Sequence, residues 1–355
     1  MNIISTGFSG TGSSAVIHLL SEYDGFTQGR ISHNYEHVLF YIPNGLFDLE
    51  DRLLMNNTIH MSDGAFEEFR KAMKRLNDHN FGWFGGYQKK FGNQFMDSVD
   101  ELINNLTQYT LRGYWSNDFE YTKIMHPKAL LRDLVKKIIG KPTLDFGKLI
   151  QNRGDGQIRV SFVSKQEYAD AVKIFVRKYL NMFNNGEKNL LLDQLLLPQN
   201  LKRLSTYFDD DVRVIVVNRD PRDMYILAKY VWPRMSGSAS YPNTVDEFIS
   251  FYANLRESAN IPEDPRILII NFEDLIYFYD ITVDRIEKFI GIDSSKHINK
   301  GRKLIVEQSI KNTQNFRIEE SWKYEVEKIE QELKPYIYKF PYEFTPNIND
   351  TSDPT

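Results

Sequence analysis

Short apolar runs open the chain and return past its midpoint, with a long stretch of helical periodicity between them. Asn2-Ile3-Ile4-Ser5-Thr6 reads as a short buried strand, and Ala15-Val16-Ile17-His18-Leu19-Leu20 as the apolar helix after it. Residues 24–28 read as a second short strand. From about 50 to 185 the apolar positions fall at helical spacing. Phe95, Val99, Leu102, Ile103, Leu106 and Tyr109 form one such set, and Leu130, Leu131, Leu134, Val135 and Ile138 another. Val172, Phe175, Val176, Tyr179, Leu180 and Phe183 form a third. Strand patterns resume at residues 189–194, 212–218 and 266–271, with helical segments near 220–230, 245–259 and 281–290. Ile318, Trp322, Val326, Ile329 and Leu333 make one face of a last helix that Pro335 stops.

Strand alternating with helix implies a parallel sheet with right-handed crossovers. The expected fold is α/β: a parallel sheet of about five strands flanked by helices, with a large helical insertion over about 50–185. A single domain over 1–345 is expected, followed by a polar, frayed tail at 346–355.

Composition narrows the function classes. The 355 residues are 41% hydrophobic and 26% charged, with 24 Phe and 20 Tyr, enough for a sizeable core. A net charge of −4 offers no general affinity for nucleic acid, so any basic site is local. With no cysteine there is no disulfide, thiol nucleophile or cysteine metal site. The first strand begins at once, leaving no room for a signal peptide, and no run approaches the length of a membrane span. A cytoplasmic protein is expected.

The chemistry begins between the first strand and the first helix, at Gly7-Phe8-Ser9-Gly10-Thr11-Gly12-Ser13-Ser14. Strand, glycine-rich turn and helix bring backbone N–H groups together at a helix N-terminus, where they bind phosphate. The spacing Gly7-x4-Gly12 followed by two hydroxyls has the layout of a nucleotide P-loop. Ser13 stands where an NTPase loop carries the lysine that reaches the β- and γ-phosphates. A second motif, Arg219-Asp220-Pro221-Arg222-Asp223, follows a β-branched strand, with Pro221 suited to the first turn of a helix. Arginine there can clamp a phosphate with two hydrogen bonds or belong to a capping network. Asp193, ending an apolar run, resembles a Walker B acid, and a P-loop NTPase or small-molecule kinase is the rival reading.

Taken in order, the glycine loop, Arg219-x-Pro221-x-Asp223, residues 269–275, residues 286–292 and residues 309–314 resemble the cytosolic and Golgi-type sulfotransferase superfamily. The resemblance runs from residue 2 to about 335 and leaves about 50–185 uncovered. It implies 3′-phosphoadenosine 5′-phosphosulfate (PAPS) as donor and no metal. It places Gly7, Ser9, Gly10, Thr11, Gly12, Ser13 and Ser14 around the phosphosulfate and Arg219 on the 3′-phosphate. Lys300 and Arg302 would form a further clamp, with Lys311 and Asn312 closing over the nucleotide. The acceptor base would be Glu36 first and His33 second, in the polar run 29–37 after the second strand. An aromatic-rich insertion suits a glycan or glycolipid acceptor, as in polysaccharide biosynthesis.

Two positions depart from the family pattern. Gly10 stands where such loops carry Lys or Arg, and Leu227 where a second 3′-phosphate ligand, Ser, is usual. Lys89, Lys90, Arg222 and Lys229 are the candidate replacement cations. A non-catalytic homologue that only binds PAPS is the other alternative.

Overall fold

Leucine and β-branched residues crowd the segments 2–7, 189–193 and 212–218 because those strands are buried on both faces. The protein is described by a computed structural model over residues 1–30, 37–112, 135–136, 138–140, 157–184, 188–235 and 241–347. Among these, seven strands form: β1 Asn2–Gly7, β2 Phe26–Gln28, β3 Tyr109–Arg112, β4 Gln157–Val160, β5 Asn189–Asp193, β6 Val212–Asn218 and β7 Ile267–Asn271. Five make the expected parallel sheet, in the order β2-β5-β1-β6-β7. β1 is central, with Ser5 opposite Asp193 on one side and Gly7 opposite Val217 on the other. The loop after β1, Asp193 at the end of β5, and Arg219 just past β6 therefore share the carboxyl edge of the sheet. That edge is where open α/β sheets bind ligands.

The chain divides into two compact units. One comprises Met1–Ile42, Leu76–Phe95 and Val176–Thr355; the other comprises Pro43–Arg75 and Met96–Phe175. In the first, the helix Ser13–Leu20 buries Val16, Leu19 and Leu20 against Ile3, Leu191, Ile215 and Ile270. The second is held by polar as well as apolar contacts. Arg70 and Asp100 form a two-pronged ion pair at 2.6 and 2.9 Å, and the Tyr168 hydroxyl donates to the Leu46 carbonyl at 3.1 Å.

The stretch expected to be helical holds helices at Leu46–Leu54, Ile59–Asp78, Gln94–Leu106 and Lys165–Asn184. It also holds the antiparallel pair β3–β4, which helical periodicity missed. β3 is four residues long and exposed throughout, so it lacks the buried alternation that marks a strand. The expected helix near 130–138 lies mostly outside the described residues. The predicted helix near 220–230 is Pro221–Ile226 running into a π turn, Leu227–Val231, and then Trp232–Met235. Among the described residues no helix is long and apolar enough to cross a membrane.

Candidate active site: the glycine loop and its pocket

The loop after β1 is built from conformations that a side chain would obstruct. Ser9, Gly10 and Gly12 take positive φ of 54°, 71° and 90°. A Cβ on Gly7 would fall 2.0 Å from Thr11 Oγ1, which accepts the Phe8 N–H at 3.1 Å and closes the turn. Two rings then press on the loop. A Cβ on Gly10 would meet Trp232 Cη2 at 2.4 Å, and one on Gly12 would meet Phe272 Cδ2 at 2.6 Å. The Tyr241 hydroxyl donates to the Phe8 and Ser9 carbonyls, fastening the near side. Among the described residues, the amides of Thr11, Gly12, Ser13 and Ser14 meet no protein acceptor. Gly12 and Ser14 line the pocket, so their amides are placed to receive an anion at the N-terminus of an eight-residue helix.

Ser13, in the place of the NTPase lysine, turns away from this concavity. It is buried and its hydroxyl donates to Asp193 Oδ1 at 3.1 Å. The Walker-like acid of the sequence thus binds the first of the two hydroxyls that follow Gly12. Ser14, half-buried, faces the pocket.

Arg219 comes off the end of β6 into the same pocket. Its Nη1 donates to the Gly10 carbonyl at 2.9 Å, and its Nη2 donates to the Asn312 carbonyl. The guanidinium lies 4.9 Å from the centre of the Phe272 ring, and its buried Nε has no protein partner. Burial weakens its hold on the proton, while the Asp223, Glu273 and Asp220 carboxylates act in the opposite direction. Asp220 caps the following helix through the Arg222 N–H at 2.8 Å and takes Arg222 Nη2 at the same distance. Asp223 accepts the Gln314 and Phe316 amides at 2.7 and 3.4 Å. The Arg-x-Pro-x-Asp motif is therefore a bracket, tying the glycine loop to residues 312–316. Burial and then the Asp220 charge push the Glu273 carboxyl up to about 8, and its Oε2 is buried without a partner.

The far wall of the pocket is Lys303, Leu304, Ile305, Gln308, Ser309 and Asn312. Of the basic run at 300–303, the structure brings Lys303 to the pocket, a residue the sequence did not single out above its neighbours. Lys300 is exposed and paired with Asp280 at 3.0 Å, and neither it nor Arg302 lines the pocket. Asn312 lines it; Lys311 does not. Leu227 reaches the wall with methyl groups where the family pattern has a hydroxyl. Gly10, with Trp232 against it, has no room for the basic side chain expected there. Three of the four candidate replacements are committed elsewhere. Lys229 pairs with Glu325 at 2.5 Å, Arg222 pairs with Asp220 and Glu330, and Lys90 donates to the Arg30 carbonyl at 2.6 Å. Lys89 is exposed and does not line the pocket.

Glu36 and His33 lie outside the described residues. The ends of their segment are described. The His37 ring bridges the Tyr179 hydroxyl at 2.7 Å and the Gly29 carbonyl at 2.6 Å, and burial pulls it down to about 4. His37 is thus a neutral strut holding the residue after β2. Among the described residues, no group of three or more His, Asp or Glu is arranged to hold a metal ion.

A sulfotransferase-domain model matches residues 3–341, and the chain belongs to that family of enzymes. No curated protein matches it. Similar solved structures include the sulfotransferase domain of the curacin biosynthetic pathway, at 14% identity over 96% of this chain and 98% of that one, with a TM-score of 0.36. The sulfotransferase domain of the Synechococcus PCC 7002 olefin synthase aligns at 12% identity over 86% and 78%, with a TM-score of 0.33. The sulfotransferase STF1 of Mycobacterium tuberculosis aligns at 13% identity over 88% and 76%, with a TM-score of 0.33.

Proposed function

We propose that this sulfotransferase moves a sulfuryl group from PAPS to a hydroxyl of a glycan or glycolipid acceptor. The observation that carries the donor assignment is the meeting, in one pocket, of Gly12 and Ser14, whose amides are unpartnered, with Arg219 and Lys303. Such a set fits a nucleotide with anionic groups at two places. Arg219 lines this pocket while its two terminal nitrogens hold the Gly10 and Asn312 carbonyls. The Phe272 and Leu304 side chains offer apolar wall for a base. Ser13, bound to Asp193, is unavailable as a substitute for the NTPase lysine, which disfavours ATP.

When bound, the donor supplies an activated sulfuryl group and a phosphate leaving group. The loop amides and the pocket cations favour the charge that gathers on that leaving group. Glu36 is the proposed base, with His33 as its alternate, and the resemblance carries that assignment. For the acceptor, the exposed Trp83 and the stacked Phe81–Phe84 pair, 4.9 Å apart, offer ring faces of the kind sugars pack on.

Thermal stabilisation by 3′,5′-ADP against ATP with Mg²⁺ tests the donor. Stabilisation by ATP with Mg²⁺ alone overturns it. Transfer of ³⁵S from labelled PAPS to a glycan or glycolipid extract tests the reaction. Binding of 3′,5′-ADP with no transfer to any extract identifies the non-catalytic homologue. Full transfer by Glu36→Gln removes Glu36 as base.

A further inference from the structure

The segment that walls the donor pocket, residues 303–312, is held at each end by a buried acid. At its far end the acid is Asp223, on the amides of Gln314 and Phe316. At its near end the acid is Glu22, which belongs to none of the motifs. Glu22 lies just after the first helix, its side chain fully buried. Its two oxygens collect three backbone amides from one short loop: Gly301 at 3.1 Å, Lys303 at 2.7 Å and Leu304 at 2.9 Å. His297 Nε2 meets the same carboxylate at 2.8 Å, and the His297 ring stacks on Tyr23 at 4.1 Å between centroids. The Asn299 amide donates to the Glu22 carbonyl at 3.1 Å. Burial pushes this carboxyl up, yet the His297 and amide hydrogen bonds outweigh it and hold it below the usual range.

A buried carboxylate is retained when its hydrogen bonds are complete. Here they serve a loop with little else to hold it: Gly301, Arg302 and Lys303 are exposed, and Gly301 turns at φ 76°. Leu304 is the first residue of the loop to enter the core. The two amides nearest the pocket, those of Lys303 and Leu304, share Glu22 Oε1.

We infer that Glu22 is the positioning residue of the donor pocket: its carboxylate fixes the 301–304 loop so that Lys303 faces an anionic group of the bound nucleotide. Glu22 touches no ligand and acts through the loop. The consequence for Lys303 rests on the donor proposed above; the anchoring of the loop does not.

The test pairs two measurements on Glu22→Gln in the full chain. Amide hydrogen exchange is expected to accelerate more than tenfold at Gly301, Lys303 and Leu304, with β1 and β6 unchanged. Affinity for 3′,5′-ADP is expected to fall about tenfold, and Lys303→Ala is expected to cost little more in that background although it costs about tenfold alone. That non-additivity separates positioning from general stability. His297→Gln, which keeps the carboxylate, serves if Glu22→Gln does not fold; it is expected to accelerate the same amides severalfold. Unchanged exchange at these amides overturns the anchor. Additive losses from Glu22→Gln and Lys303→Ala overturn the positioning role. If the unmodified protein does not bind 3′,5′-ADP, the donor proposal fails, and exchange still decides the anchor.

Discussion

The Trp232 ring lies where a side chain on Gly10 would begin, 2.4 Å from the Cβ that glycine lacks. The departure from the family pattern at Gly10 is thus matched by a second residue. A lysine at position 10 would have to displace an indole that is 5% exposed and would have to adopt φ 71°. The loop has exchanged a flexible cation for a rigid wall. Positive charge reaches the pocket from Arg219 and Lys303 instead.

Gly10→Ala should therefore destabilise the protein, by about 2–4 kcal/mol from strained φ and overpacking. Trp232→Ala should cost about 3–5 kcal/mol by itself. In the double variant the steric part vanishes, and the total should fall short of the sum by about 1–2 kcal/mol. Denaturant unfolding of all four proteins measures this coupling. Strict additivity would show that the ring does not crowd position 10.

Arg219 reaches two carbonyls, Gly10 and Asn312, with separate nitrogens of one planar group. Lysine is a point donor and cannot reproduce that span. It would also sit differently among Asp220, Asp223 and Glu273, all buried. Arg219→Lys is expected to lower stability by about 2–3 kcal/mol, the scale of losing one charge-assisted hydrogen bond. The thermal shift given by 3′,5′-ADP should be lost. A wild-type unfolding midpoint together with an intact shift would refute the bracket.

Much of this was legible in the residues because local chemistry dictated it. Glycines with positive φ, a β-branched β6 and Pro221 at a helix start each have a narrow set of structural solutions. The sheet edge gathered the loop, Asp193 and Arg219, as alternating strands and helices required. The missed features depend on partners far apart in sequence. Nothing near Gly10 announces Trp232, and nothing near Glu22 announces residues 301–304. Lys303 was indistinguishable from Lys300 and Arg302 until an anchor 281 residues away set its direction. The strand β3, exposed on both faces, carries no period to read.

Acid should weaken the fold through His37. Its folded value of about 4 lies below the usual 6.5, so the unfolded chain binds the proton first as pH falls. Stability from this group is complete above pH 6.5 and declines towards pH 4, by about 3 kcal/mol in all. Glu273 acts oppositely. Its value, raised to about 8 by burial and Asp220, means the folded state holds a proton the unfolded chain releases. Stability from Glu273 is therefore lost as pH rises towards 8. Urea midpoints from pH 4 to 9 should trace a maximum between the two. His37→Gln should flatten the acid limb, and Glu273→Gln should flatten the alkaline one only in part, because burial and the Asp220 charge also raise the Asp223 carboxyl, to about 7. An acid limb unchanged in His37→Gln would assign that loss to other groups.

The neighbouring lysines at 300 and 303 give the sharpest test of the pocket. Both are exposed and carry the same charge, so net charge and long-range attraction change equally when either is removed. Lys303 lines the pocket, while Lys300 pairs with Asp280 and lies 4.9 Å from the Tyr279 ring centre. A charge-assisted contact to a ligand is worth about 1.5 kcal/mol or more, close to tenfold in affinity. Lys303→Ala should weaken 3′,5′-ADP binding by about that factor, while Lys300→Ala should stay within about twofold. Titration calorimetry at two salt concentrations should show the Lys303 effect shrinking as salt rises. A larger loss from Lys300→Ala than from Lys303→Ala would move the phosphate contact to the other end of the loop.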